Sequence, residues 1–510
     1  MTKKYYVREY IKLLRVHGLT AALWLAHCLG HAESLPQLID GVLASHPSLR
    51  AQRALGASAQ QALEAARWQF YPTPSIGFEQ VDAGNSDPSY APNGDKNVTT
   101  LRLQQPLWTG GRLSAGLDKA GAGVLAGEAS QDSVRHDLAL RVVQVYADWY
   151  GAQLKHQAYE KSLHTHHGLQ EQIDRRINGG ISPQSDLTLL LGRQQQTEAD
   201  LATAQALEQS ALARLGQLLG RPLQSRDLAT ALGAAQALDL DVQDLQAQAQ
   251  AHHPSVQKLH AQARMAEAEV SERRADLLPA VYLRVERQYG NFSYPDISAQ
   301  SRVFVGFSTS FGAGLSSLSQ VSGALARYEA ALADIDSTRV SLGEQIMGDY
   351  AQAQAGQDRL LALQASLQSA DGITRAWNRQ FVAGRKTWLD VMNAAREAVQ
   401  LEAQIADARA SQLLLSWRLS ITGKGLDNAL SAALSATPNA RVNAALDTVS
   451  DTAQSAVQSD LTTKDTQAPG DADIPLYAQD EAIELRMAWQ IDPGALGRDV
   501  SKNTYNEAQW

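Results

Sequence analysis

The sequence predicts a mixed α/β protein built from two copies of one unit, each with a short helix, a hairpin of strands, a very long helix and a return helix. Three observations predict this fold class: an internal repeat, a hydrophobic period that switches between 3.6 and 2 within each copy, and a composition rich in Ala and Leu. Hydrophobic residues make up 44% of the 510 residues and charged residues only 19%. This balance is typical of long helices rather than of several compact domains.

The charge of the chain argues against nucleic acid as a partner. There are 45 Lys and Arg residues against 54 Asp and Glu residues, which gives a formal net charge of −9, and the sequence has no block of basic residues. A nucleic-acid-binding surface needs concentrated positive charge. We therefore expect no nucleic-acid partner.

The N-terminal segment predicts export from the cytoplasm. Basic residues precede an apolar stretch from Leu19 to Leu29 that is too short to span a bilayer comfortably, and Gly30 to Ala32 offers small residues at a cleavage site. We interpret residues 1–32 as a cleaved signal peptide, with an uncleaved anchor as the alternative. Cys28, the only cysteine, lacks the small preceding residue of a lipid-attachment site and would be removed by cleavage. After Ala32 no apolar run of about 18 residues predicts a membrane-spanning helix.

An internal repeat defines the domain organisation. Residues His46–Glu79 align without gaps on His253–Glu286, and both segments begin with His-Pro-Ser. Further along, four residues fall on four counterparts at one common offset: Tyr146, Arg175, Gly180 and Asp186 on Tyr350, Arg379, Gly384 and Asp390. The predicted domains are a first repeat (33–222), a linker or equatorial segment (223–250), a second repeat (251–425), and an Ala/Ser/Asp-rich C-terminal extension (426–510) that we expect to be largely disordered.

Within each repeat, a short helix is followed by two strands. The helix begins after His-Pro, where the missing N–H of proline costs nothing, and ends near Pro72 or Pro279. Alternating apolar and polar residues then predict a hairpin, whose loop (82–97 or 290–301) is rich in turn-forming residues. The alternating apolar residues are Ile76, Phe78, Leu101 and Leu103 in the first repeat, and Val281, Leu283, Val285, Val303, Val305, Phe307 and Phe311 in the second.

The longest periodic segments follow the strands. They run to Ile177 in the first repeat and to Phe381 in the second, and a helix of that length would extend about 100 Å. Near-heptad spacing of large apolar residues in the second segment predicts a coiled coil or a helical barrel. Glycines then predict a turn, and return helices follow at 186–219 and 389–421.

In this order and duplicated, these elements resemble the TolC family of outer-membrane channel proteins. The resemblance covers Leu35 to Gly425. Its motifs are His-Pro-Ser before each short helix, the helix-ending prolines, Pro-Leu-Trp-Thr-Gly-Gly at 106–111, and the two helix-turn signatures at 176–187 and 379–391.

The resemblance implies a homotrimer. Three copies with four strands each would close a 12-stranded β-barrel, which would continue into a long α-helical barrel in the periplasm. The protein would lie in the outer membrane of a Gram-negative bacterium, in contact with outer-membrane lipid. The strand pattern agrees, because the alternating apolar residues would face lipid while polar ones would face a wet lumen, namely Glu79, Arg102, Arg284 and Glu286.

On the second return helix, the resemblance implies a pore constriction at Asp390 and Asn393. The ring would carry one carboxylate per copy at the first position and none at the second. Carboxylates clustered around a narrow axis would favour cations and bind divalent cations weakly, and we expect no other metal site and no cofactor. The alternative is that Asp390 only caps the return helix.

The resemblance also implies links that hold a closed state. Asp186 and Lys386 match two of these positions, while Phe381 lacks the hydroxyl of the usual tyrosine and Arg385 would substitute only in part. A further set would lie at the helix-turn tips that dock a periplasmic adaptor: Arg175, Gly180, Arg379 and Gly384. A solvated turn is the alternative explanation of this set.

The sequence gives little indication of chemistry. His164 and His167 share a helix face beside His166, but no carboxylate stands at zinc-motif spacing, so a solvated surface explains them better than a metal site. Phosphate-loop and nucleophile-elbow motifs are missing from the sequence. We expect no enzymatic activity.

The function implied by the resemblance is that of a passive exit duct in a tripartite export system. Its partners would be a periplasmic adaptor (membrane fusion) protein and an inner-membrane ABC exporter or RND-type pump. Type I protein secretion and small-molecule efflux both remain open. The alternative from another class is a periplasmic coiled-coil scaffold or adaptor without a pore, for which alternating strands would have no use.

Overall fold

The computed structural model describes residues 32–81, 94–229, 241–294, 298–309 and 312–433. In chain order its main elements are α1 (Leu35–Ser45), α2 (Pro47–Trp68), β1 (Thr73–Gln80), β2 (Asn97–Trp108), α3 (Arg112–Asn178), α4 (Gln184–Leu219), α5 (Val242–His252), α6 (Pro254–Ala275), β3 (Ala280–Tyr289), β4 (Gln300–Ser308), α7 (Ser316–Val382), α8 (Trp388–Leu419) and α9 (426–433). Residues 1–31 of the predicted signal peptide, Phe311 and nearly all of the predicted C-terminal extension lie outside the described residues.

Both predicted hairpins and all six predicted helices are present. The two long helices, α3 and α7, each contain 67 residues, and the return helices α4 and α8 contain 36 and 32. Helices α2 and α6 contain 22 residues each. The structure therefore confirms the duplicated order of elements.

Histidine side chains begin the short helix of each repeat. Nδ1 of His46 accepts a hydrogen bond from the backbone N–H of Ser48 at 3.2 Å, and Nδ1 of His253 accepts the same bond from Ser255 at 3.2 Å. Each bond satisfies one of the backbone donors that a helix N-terminus leaves free. The His-Pro-Ser motif is thus a helix cap in both repeats.

The repeat extends further towards the N terminus than the sequence analysis recognised. Helices α1 and α5, which it did not predict, occupy equivalent positions before α2 and α6. Leu38 of α1 and its counterpart Leu245 of α5 are both fully buried. Most of α5 lies in the stretch that we expected to be a linker (223–250).

The four strands form one antiparallel sheet in the order β1-β2-β3-β4. Residues directly opposite each other on neighbouring strands share a face, and the register places ten of the predicted apolar residues on one face. Several of them are strongly exposed in a single copy, including Ile76, Val305 and Phe307. The predicted polar residues, among them Arg102 and Glu286, share the opposite face. Each outer strand, β1 and β4, has one edge without a partner in the described sheet.

A bulge changes the face that the end of β2 presents. The register shifts between Pro106 and Trp108, which places Trp108 opposite Val281 on the apolar face. Without the extra residue Leu107 would take that position, since side chains alternate between faces along a strand.

The long helices connect two groups of helices. The first half of α3 packs between α2 and α6, and α6 also packs against α7. The second half of α3 packs between α4 and α8, and α8 packs against α7. In both groups, α7 therefore lies at one edge, with α2 or α4 at the other. Within the described ranges, none of the helices combines the length and the apolar character that a membrane-spanning helix needs.

The largest core lies around the middle of α3. Trp149 is fully buried there, and its indole N–H donates a hydrogen bond to Oγ of Ser225 at 3.2 Å. Ile39 of α1 and Leu215 of α4 are buried in the same cluster. This packing joins α1 and α4 to the middle of α3.

Helix α9 belongs to this core. Its residues Leu426 and Leu430 are buried in the same cluster as Trp149. Residues 426–433 are thus helical and packed, although the sequence analysis assigned them to a largely disordered extension.

Candidate functional site

Two glycine turns join the long helices to the return helices. Gly180 has φ +68° and Gly384 has φ +73°, a left-handed conformation that costs residues with a Cβ about 1–2 kcal/mol. The N–H of Gly180 donates to the carbonyl of Ile177 at 2.9 Å, and the N–H of Gly384 donates to that of Phe381 at 3.0 Å. The predicted helix-turn signatures are therefore confirmed as turns with equivalent geometry.

Asp390 caps the start of α8. Its Oδ2 accepts hydrogen bonds from the hydroxyl of Thr387 at 2.8 Å and from the backbone N–H of Thr387 at 3.2 Å. The hydroxyl of Thr387 in turn accepts from the backbone N–H of Asp390 at 3.3 Å, which completes a capping box. These bonds, together with the nearby Lys386 at 3.8 Å, hold the pKa of the Asp390 carboxyl below its usual value. Asn393 lies partly buried three residues further along the same face of α8.

Phe381 is a core residue of this end of the molecule. It is buried, its ring lies 5.0 Å from that of Trp388, and the guanidinium of Arg176 stacks over it at 4.6 Å. The side chain thus joins α7 to α8 and to the first turn. Its contacts within one copy are apolar and cation–π contacts rather than the hydrogen bond that a tyrosine hydroxyl would make.

Trp388 joins the two turns directly. Its indole N–H donates a hydrogen bond to the backbone carbonyl of Asp186 at 2.9 Å. The Asp186 side chain is half-buried, and burial raises the pKa of its carboxyl although the charge of Arg176 opposes this rise. Asp186 was predicted from the sequence, whereas Trp388, which directly follows the cap residue Thr387, was not.

Lys386 and Arg385, the two basic residues predicted to help hold a closed state, differ in their surroundings. Nζ of Lys386 lies 4.2 Å from the centre of the Trp377 ring and 3.8 Å from Oδ2 of Asp390, so Lys386 is engaged within its own copy. Arg385 is exposed. Of the two residues, Arg385 is exposed and Lys386 is partly buried.

The remaining predicted tip residues are accessible. Arg175 is exposed and lies 3.8 Å from Glu171, one helical turn earlier, and Arg379 is also exposed. Apolar side chains stand beside them, since Ile181 and Val382 are 65% and 56% exposed. The tips therefore present a mixed basic and apolar surface.

The histidine cluster divides between surface and interior. His164 and His167 are exposed, as predicted, but His166 is buried, and burial together with the nearby His167 lowers its pKa. Over the described part of the chain, no group of three or more His, Cys, Asp or Glu side chains is arranged to hold a metal ion.

Comparison with known proteins identifies the family. The family model described as outer membrane efflux protein matches residues 38–221 and 245–420, which together cover more than half of the chain. The chain belongs to this family, and the resemblance to TolC-family channels is confirmed.

Individual relatives support the same assignment. The chain is 25% identical over 345 residues to the alkaline protease secretion protein AprF of Pseudomonas aeruginosa, a match that covers 66% of this chain and 71% of AprF. The fold matches the outer membrane protein VceC of Vibrio cholerae with a TM-score of 0.67 at 18% identity, over 77% of this chain and 96% of VceC. It also matches the outer-membrane channel CmeC of Campylobacter jejuni with a TM-score of 0.65 at 15% identity, over 77% of this chain and 85% of CmeC.

Family membership fixes the class and the location of the protein. The family consists of passive channels of the outer membrane, with a β-barrel and a long helical extension into the periplasm. Its members are homotrimers that work with adaptor proteins and inner-membrane pumps or ABC exporters.

Proposed function

We propose that three copies of this chain form a passive exit duct across the outer membrane and the periplasm. The observation that carries this proposal is the sheet, whose one face is apolar and exposed and whose outer strands each keep an open edge. Open edges are costly in lipid, so β4 of one copy would pair with β1 of the next until a 12-stranded barrel closes. The apolar face would then contact outer-membrane lipid.

The outer face of α7 supports the same assembly. Six large apolar residues along it are at least 39% exposed in a single copy: Leu318, Leu325, Leu332, Val340, Met347 and Leu361. Successive members are seven or eight residues apart, except for the last two, which are 14 residues apart. These spacings keep all six on one side of the helix. At the opposite edge of the copy, Leu55 of α2 and Leu207 of α4 are 62% and 52% exposed. The α7 stripe of one copy would pack against α2 and α4 of the next.

At the tips, Asp390 and Asn393 would form the constriction of the duct. All contacts of the Asp390 carboxylate described above involve Oδ2, so Oδ1 can face the axis while the cap stays intact. Three such carboxylates near one axis would favour cations and bind divalent cations weakly. Links between copies through Asp186 and Arg385 would hold the closed state, and the exposed tips would receive the adaptor.

For cargo, we propose protein export driven by an inner-membrane ABC exporter. The support is the similarity to AprF, whose name describes it as an alkaline protease secretion protein. A strain that lacks this chain should lose a secreted protein from its medium and regain it when the chain is restored. An unchanged set of secreted proteins with increased sensitivity to small toxic compounds would instead assign the duct to an RND-type efflux pump.

Single-channel recording tests the duct itself. The purified protein, verified as a trimer, should give discrete conductance steps in a planar bilayer. If a verified trimer gives no conductance and no leakage from liposomes, the alternative of a scaffold without a pore would replace this proposal.

A further inference from the structure

A row of charged residues crosses the polar face of the sheet. Arg102 on β2 lies opposite Glu286 on β3, which lies opposite Arg302 on β4. Nε of Arg102 is 3.3 Å from Oε2 of Glu286, and Nη2 of Arg302 donates to Oε1 of Gln300 at 2.6 Å. In the register of the sheet, Glu286 thus lies between two arginine positions.

Arg284 adds a third guanidinium beside this row. It lies two residues from Glu286 on the same face, with its Nε 3.6 Å from Oε2 of Glu286. The Phe304 ring lies under its guanidinium at 4.6 Å and the Tyr282 ring at 5.9 Å. Stacking on aromatic rings holds an arginine in place without using its outward-pointing donors.

Positive charge exceeds negative charge in this row across the polar face of the sheet. Glu286 is the one carboxylate among three arginines, and its side chain is only 13% exposed. Glu79, the other acidic residue on this face of the described strands, lies four residues from the row along β1, a distance of about 13 Å. Each copy therefore carries a net charge of +2 at this level, although the whole chain has a net charge of −9.

We propose that Arg102, Arg284 and Arg302 form an oxyanion-binding ring inside the barrel, with carboxylate or phosphate groups as its ligands. This inference rests on the proposed function, because only a closed trimer turns the polar face inward and brings nine guanidinium groups around one axis. Guanidinium groups bind carboxylate and phosphate in a bidentate manner, and a ring of arginines around a pore favours anions. The barrel would attract anions, whereas the Asp390 end attracts cations.

The test is block of single-channel current by polyanions. Inositol hexakisphosphate and citrate, added to the chamber that the strand loops face, should each reduce the current of the wild-type trimer. In the double variant Arg102→Gln/Arg302→Gln, the half-blocking concentration should rise at least tenfold. Comparison of the two blockers shows whether the ring prefers phosphate or carboxylate.

Arg287 provides a matched control. It lies on β3 beside Glu286 but on the opposite, apolar face, where its guanidinium stacks on Tyr289 at 5.3 Å. Arg287→Gln removes one positive charge, as Arg302→Gln does, but from the apolar face of the sheet, and it should change the half-blocking concentration less than twofold. Because Arg302 contacts Gln300 on its own strand, Arg302→Gln alone should leave the trimer intact and still weaken block.

The outcomes separate the two proposals. A conducting wild-type trimer whose block is absent, or is unaffected by Arg102→Gln/Arg302→Gln, would overturn the oxyanion ring and leave the duct standing. An equal effect of Arg287→Gln would also overturn it, because the loss would then reflect net charge rather than position. A trimer that does not conduct at all would overturn the duct.

Discussion

At the residue scale, the geometry of Asp390 fits both its observed role as a helix cap and its proposed role in the pore. The sequence predicts either a pore ring or a helix cap for this residue, and the two roles are compatible because the cap uses only Oδ2. The neighbouring Thr387 takes part in the cap but carries no charge. The pair therefore allows the two roles to be separated by substitution.

We expect Thr387→Ala and Asp390→Asn to have different effects on divalent block. Thr387→Ala removes the capping hydroxyl and should lower the free energy of unfolding by about 1 kcal/mol while the carboxylate remains. Asp390→Asn should abolish block of the single-channel current by divalent cations added on the tip side. Titration of Mg²⁺ against both variants measures this, and equal loss of block in the two would show that block depends on the cap alone.

His253 should make stability depend on pH. Burial and the nearby His136 ring lower the pKa of His253 from 6.5 to about 4, so below pH 6.5 the unfolded chain binds a proton that the folded chain does not. Stability is therefore lost as pH falls from about 6.5 towards 4. His253→Asn keeps an N-cap acceptor but does not titrate, and it should reduce the stability difference between pH 7.5 and pH 5 by about 1 kcal/mol.

Thermal unfolding at the two pH values checks this prediction. His46→Asn is the matched control, because His46 makes the same cap in the first repeat, is only partly buried and lacks the contact with His136. An identical pH dependence in wild type and His253→Asn would assign the acid sensitivity to other groups.

At the element scale, the turns and helices follow closely from local sequence. Glycine at 180 and 384 predicts both turns, and Thr-Trp-Leu-Asp at 387–390 contains the capping pair that begins α8. Helix α5 was missed because its 11 residues are mostly Gln and Ala and bury only Leu245 and Ala249. The bond from Trp388 to Asp186 was missed because it joins residues 202 apart, and no local pattern encodes such a contact.

Replacement by alanine should have opposite effects on stability at Gly180 and at Gly192. Gly180→Ala places a Cβ on a residue with φ +68° and should destabilise the protein by about 1 kcal/mol, although no atom lies within 4 Å of the new Cβ. Gly192 lies inside α4 with equally open space, so Gly192→Ala should stabilise the protein by about 0.5–1 kcal/mol. The difference between their unfolding midpoints tests whether backbone conformation alone requires glycine at the turn.

At the scale of the whole molecule, a single copy leaves strand edges unpaired and an apolar helix face uncovered. The sheet ends in open strands and α7 carries an uncovered apolar stripe. The sequence predicted the alternating strands and part of the near-heptad spacing from local periodicity. It did not show that α7 stands at the edge of both helix groups, because that depends on which helices α3 contacts.

Leu361→Lys should weaken the trimer. Leu361 is 61% exposed in a single copy and would be buried against α4 of the next, so a lysine there would place a charge in an apolar interface. Ser366→Lys, on another side of α7 and also exposed, is the matched control. Light scattering of the detergent-solubilised variants should find monomers only for Leu361→Lys, and an unaffected trimer would remove the stripe from the interface.

The equal length of α3 and α7 has a consequence for how far the protein reaches. Each helix is 67 residues long, so the distance from sheet to tip is encoded twice in one chain. A deletion in one long helix would leave tips at two heights around the ring, and only a paired deletion would shorten the tunnel evenly. The reach of the helical extension into the periplasm can therefore change in evolution only when both halves of the gene change together.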